Sequence, residues 1–151
     1  GPYFTKHTAT RGASIDDENT HEGGTYPYPL LTTLATQDND FVYSLTRVIN
    51  ENYDEFKDAD PGAIGWAIES QVFDWVVPYH DGAVNYWREV GVWTDEIEAH
   101  NQALIQRQQV LAAAWTEMEA RGIRDKDAFV ESWAELRAER LEAAGFDPVW
   151  R

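Results

Sequence analysis

Residues 76–92, VVPYHDGAVNYWREVGV, read as an extended segment that turns into a helix. The β-branched pair Val76-Val77 and the ring of Pro78 favour extended backbone. Asp81 is placed to cap a helix by accepting from a first-turn N–H, and Gly91 stands where a left-handed residue would end one. Between them Ala83, Val84, Trp87 and Val90 recur at helical spacing and form an apolar face.

Upstream, residues 1–29 are rich in Thr, Gly and Asp. The clusters Tyr3-Phe4 and Tyr26-Pro27-Tyr28, separated by the acidic run Asp16-Asp17-Glu18-Asn19, predict strands joined by a long loop. Pro29-Leu30-Leu31-Thr32-Thr33-Leu34-Ala35 has the composition of a buried strand. The period then changes. Phe41, Val42, Leu45, Val48, Ile49 and Phe56 fall on one face of a helix capped by Asp38 or Asp40 and stopped by Asp60-Pro61-Gly62. Ala63 to Phe73 predicts a further short helix, followed by an extended piece from Trp75 to Pro78.

Downstream, Thr94-Asp95 opens a long helix in which Asp95 and Glu98 have the spacing of a capping-box pair. Ile97, Asn101, Leu104, Gln108, Leu111, Trp115 and Met118 make a stripe along it as far as Gly122. The polar Asn101 and Gln108 weaken that stripe as a dry seam. Asp127 is the expected cap of a last helix carrying Phe129, Val130, Trp133, Leu136 and Leu141, which ends at Ala144-Gly145.

Composition excludes several function classes. A chain of 151 residues suits one domain. Its hydrophobic share of 43%, with seven Trp, indicates a packed protein rather than a disordered one. A formal charge of -15 repels phosphate backbones and anionic bilayers, so no nucleic-acid partner is expected. Without Cys there is no disulfide, thiolate metal site or thiol nucleophile. No apolar run reaches the roughly 18 to 20 residues that span a bilayer, and no basic-then-apolar export signal is present.

Residues that could carry chemistry are sparse. His7, His21, His80 and His100 lack metal-ligand spacing, so no metal and no cofactor are expected. His80-Asp81 beside Tyr79 resembles a base with an orienting carboxylate, but no activated nucleophile, nucleophile elbow or phosphate loop accompanies the pair, and no enzyme is expected. Trp87, Trp115 and Trp133 lie in apolar stripes and read as core. Tyr26 and Tyr28 lie in a Pro-punctuated loop outside any stripe; with Tyr79 and His80 they are the candidate ligand-binding residues.

Two motifs carry a family resemblance. Val42-Tyr43-Ser44-Leu45-Thr46-Arg47, followed by Pro78, His80, Gly82, Ala83, Tyr86, Glu89 and Gly91 in register, resembles the C-terminal signature of TAXI-type solute receptors of tripartite ATP-independent periplasmic (TRAP) transporters. Thr25-Tyr26-Pro27 is similar to an earlier motif of that family. Arg47, Asp81 and Trp87 depart from its usual Lys, Pro and Tyr. The resemblance covers about residues 22 to 93.

It implies an α/β, helix-rich fold: part of a two-lobe periplasmic binding protein followed by a helical C-terminal extension. Residues 1–35 would be the end of lobe two and the crossover strand, 36–93 the helices returning to lobe one, and 94–151 the extension. The implied function is a non-catalytic periplasmic receptor that captures a small organic acid or amino acid for a membrane permease. The chain would then be a C-terminal part, with an N-terminal lobe or another protein chain as partner. The alternative is a truncated, receptor-derived structural or interaction subunit of a larger complex.

Overall fold

The structure, a computed structural model, describes residues 5–9 and 12–149. It forms two compact units, Gly1–Ile97 and Glu98–Arg151. The chain is helix-rich, with one small antiparallel sheet among the described residues, which is compatible with an α/β class.

The first unit opens with β1 (Thr5–Ala9) and β2 (His21–Thr25), paired antiparallel from Thr5↔Thr25 to Ala9↔His21. In the loop between them Asp16 accepts from the backbone N–H groups of Glu18 and Asn19, which turns the chain back locally. Tyr3-Phe4, expected in a strand, lies outside the described residues. Tyr26-Pro27-Tyr28 is not in a strand; β2 stops before Pro27, which has no N–H to offer a ladder.

Pro29–Ala35 is not the expected buried strand. The run has no regular structure, and Leu30, Leu31 and Leu34 are exposed. The described sheet holds only β1 and β2, so no neighbouring strand is present to pair with this run and cover it.

Helix α1 (Asn39–Glu51) begins where Asp38 accepts from the N–H of Phe41 at 2.9 Å. Asn52 interrupts the ladder by bonding back to the carbonyl of Val48, and a separate turn, α2 (Tyr53–Phe56), follows. Of the expected apolar face only Val42 is buried, while Phe41 and Val48 remain more than half exposed. The predicted helix from Ala63 to Phe73 is instead two short 3₁₀ segments, Pro61–Trp66 and Ile68–Ser70. Asp60 caps the first by accepting from Gly62 N at 2.7 Å, and the chain passes through bends at Trp75–Val77.

Helix α3 (Asp81–Glu89) corrects one assignment by a single residue. Its cap is His80, whose Nδ1 accepts from Gly82 N at 3.1 Å; Asp81 is the first helical residue. At the other end Gly91 adopts φ +79°, and the Val92 N–H reaches back to the carbonyl of Trp87 while that of Gly91 reaches Arg88, closing a Schellman turn. Val84, Tyr86, Trp87 and Trp93 form this unit's core, with Phe73 and Tyr79 packed against them. Tyr86, absent from the expected apolar face, is 2% exposed because its phenol donates to Asn50 Oδ1 at 2.7 Å. Val90, expected on that face, is 39% exposed.

In the second unit most of α4 (Asp95–Ala120) is joined by a short turn to α5 (Lys126–Ala143). Thr94, not Asp95, offers the capping oxygen to α4, and Asp125, not Asp127, caps α5 by accepting from Ala128 N. Ala114, Met118 and Leu136 are the buried cluster. Trp115 is 41% exposed, not core, because Ala114 takes the inward position; its ring meets Trp133 edge-on at 5.2 Å. Glu117 accepts from Arg140 and from Arg121, which holds its carboxyl below the usual carboxylate range, Arg140 being the stronger cause.

Candidate functional site

The first unit contains a cleft of about 340 Å³, within the range of small-molecule sites. One side is the irregular run from Pro27 to Thr33, the second is the α1 face bearing Phe41, Leu45 and Ile49, and the third runs from Gly65 through Trp75 to Trp87. The failure of Pro29–Ala35 to join a sheet is therefore what lets it serve as a wall.

Two glycines make the close approaches that shape these walls. A methyl group on Gly65 would collide with the carbonyl oxygen of Tyr28 and with the Pro29 ring, so only glycine lets the 3₁₀ segment lie against that run. A methyl on Gly82 would meet the Asn39 carbonyl, and Tyr43 N and Val42 Cβ at 2.9 Å, so α3 crosses α1 backbone to backbone. The crossing is tied by the bond from Tyr43 to Glu89 Oε2 and by the one from Tyr86 to Asn50. The carboxylate beside the Tyr43 phenol raises its pKa.

Tyr28, Tyr79 and His80 line the cleft; Tyr26 does not. Tyr26 stacks on Trp75, ring centroids 6.4 Å apart and planes 17° apart, and so backs a lining residue. Tyr79 sits among Phe73 and Trp93, and burial, with the Asp74 charge as a lesser cause, pushes its phenol up to about 12. It is thus a neutral phenol throughout the physiological range.

His80 has a structural task at each ring nitrogen. Because Nδ1 accepts from Gly82, Nε2 carries the proton and donates to the Gln37 carbonyl at 3.1 Å. A ligand would contact this ring by its face or edge, since either nitrogen is reached only by breaking a backbone bond.

Sequence reasoning missed Gln71, Trp66 and Trp75 as lining residues. Gln71 donates to the carbonyls of Gly65 and Ala67, which fixes its amide orientation. Trp87, read as core, is 5% exposed yet also lines the cleft, and its indole N–H has no acceptor among the described residues. No local pattern marks these positions; they line a cleft only because two distant segments, residues 27–33 and the α1 face, stand opposite them. Among the described residues no group of three or more His, Asp or Glu could hold a metal, and no helix is long and apolar enough to cross a membrane.

A family model described as the NMT1-like family matches residues 1–91, from the N-terminus through α3 to its terminal glycine. The chain belongs to the NMT1-like family. This is a periplasmic solute-binding family, usually extracytoplasmic, and the cleft lies within the part the NMT1-like model covers. No curated protein and no solved structure matches the chain.

Proposed function

We propose that this chain is part of an extracytoplasmic TAXI-type receptor of a TRAP transporter, binding its solute without catalysis and presenting it to a membrane permease in the periplasm. The observation that carries this reading is the cleft itself, built wholly within the family-matched residues. The two motifs at Val42–Arg47 and Pro78–Gly91 support the TAXI assignment, because Gly82 and Tyr86 do structural work in joining α1 to α3. On this reading the full two-lobe receptor closes a second wall over the cleft. A small organic acid or amino acid would find its charged partner on that wall.

Thermal-shift screening against organic acids, amino acids and uncharged aromatics tests the proposal. A bound solute at a hundredfold excess over Kd adds about 2.7 kcal/mol of stability. That gain should vanish when Thr32→Trp fills the cleft. Hits whose stabilisation survives Thr32→Trp unchanged would overturn the reading.

A second reading, a receptor-derived interaction subunit, rests on the exposed Leu30, Leu31, Leu34, Phe41 and Val48. Here that apolar surface docks on an N-terminal lobe or on another protein chain rather than lining a solute route. Co-expression with the permease subunits separates the two: the receptor reading expects association that depends on solute, the subunit reading one that does not.

A further inference from the structure

The cleft's lining carries an unusual omission for a receptor expected to hold acids. Among the described residues no Lys, Arg, Asp or Glu lines it. The one lining imidazole, His80, spends both ring nitrogens on backbone groups, Nδ1 accepting from Gly82 and Nε2 donating to the Gln37 carbonyl. The phenol of Tyr79 stays protonated up to about 12. A carboxylate seated here would lose part of its hydration with no cation among the described residues to replace it, inside a chain of formal charge -15.

What the walls do offer is ring surface and neutral hydrogen bonds. Tyr28, Phe41, Trp66, Trp75, Tyr79 and Trp87 contribute aromatic faces and edges. Gln71 spends its N–H groups on two carbonyls, leaving its Oε1 as an acceptor with no partner among the described residues. Asn50 accepts from Tyr86 through Oδ1, leaving its Nδ2 donors uncommitted among the same residues. The Trp87 N–H is buried away from solvent with no acceptor among them, so Trp87 offers ring surface only.

We infer that the solute, or the part of it that this cleft seats, is an uncharged aromatic group bearing a neutral donor and acceptor, of the carboxamide kind. The inference rests on the reading of the cleft as a solute site and names the chemistry selected there. An acid would bind by its uncharged end.

Three probes that share one ring and differ in charge test it: indole-3-acetamide, indole-3-acetate and tryptamine, titrated calorimetrically into the full chain at low and at high salt. The amide is expected to bind at least about tenfold more tightly than the acetate, with the order kept at high salt, where the long-range field of the acidic chain is screened. Thr33→Arg, an exposed lining position, and independently Leu45→Arg should raise acetate affinity about tenfold or more by supplying the missing cation.

Tryptamine binding more tightly than the amide at high salt as well as at low salt would mean that the site itself prefers a cation, and would overturn the inference. Acetate equal to or tighter than the amide also overturns it while leaving the cleft a solute site. No heat from any probe at millimolar concentration, with neither arginine variant changing that, removes both the inference and the solute-site reading.

Discussion

His80 bonds to backbone at both ring nitrogens, and its loss should be felt at two places. His80→Ala removes the acceptor for Gly82 N and the donor to the Gln37 carbonyl. A lost cap costs about 0.5 to 2 kcal/mol, and the stranded carbonyl adds to that. Asp81→Ala, at the first helical position, removes only a charge near the positive helix end, about 0.3 to 1 kcal/mol. Urea unfolding of both variants should rank His80→Ala as the more damaging, with His80→Asn recovering part of the loss; the reverse ranking would return the cap to Asp81. Tyr79 offers a second test at this scale. Its folded pKa of about 12 lies above the ordinary value of 10.0, so the unfolded chain loses this proton first as pH rises. Stability is unaffected below about pH 10, then falls by roughly 1.4 kcal/mol per pH unit until about pH 12. Denaturation at pH 9 and pH 11 should show a steeper alkaline loss in the wild type than in Tyr79→Phe. Equal slopes would mean the phenol is well hydrated.

Among the elements, the crossing of α1 and α3 carries the first unit, and Gly82 is its closest point. Gly82→Ala forces the Asn39 carbonyl and the Tyr43 backbone away from a new methyl, neither of which is a flexible end. A cost of about 1 to 3 kcal/mol follows, read as a lowered urea midpoint. Gly91→Ala meets nothing in space and should cost nearer 1 kcal/mol, from its positive φ alone. If the two glycines cost the same, the helices do not cross this closely. These same elements explain what sequence could tell. The glycines at 91, 122 and 145 all adopt positive φ where a stop was expected, and Asp38 caps α1, because capping is decided within a few residues. Pro29–Ala35 failed as a strand because strand pairing depends on a distant partner that a local apolar run does not specify. Ala63–Phe73 failed as one helix because Gly65 and the contact of its segment with Tyr28 favour tighter 3₁₀ turns. Trp115 failed as core because the apolar residues around it left the smaller Ala114 equally able to face inward.

At the scale of the whole molecule two properties oppose each other. A formal charge of -15 keeps copies apart, while Leu30, Leu31, Leu34, Phe41 and Val48 expose apolar side chains from the same unit. The candidate site shares this surface, since Leu30, Leu31 and Phe41 also line the cleft, and for that reason its position was only partly legible: Tyr28, Tyr79 and His80 were marked by local pattern, the aromatic walls were not. Charge repulsion between copies acts through solvent and is screened over about 10 Å at 0.1 M salt and about 3 Å at 1 M, whereas apolar contact is not weakened by salt. Sedimentation velocity should therefore find monomer in dilute buffer and a rising weight-average coefficient as salt increases. Leu34 and Val48 are exposed and lie outside the cleft lining, so Leu34→Lys with Val48→Lys should abolish the salt-induced association without altering probe binding. A wild-type chain that stays monomeric at every salt concentration would mean that these side chains are too scattered to act as one docking patch, and would remove the support for the subunit reading.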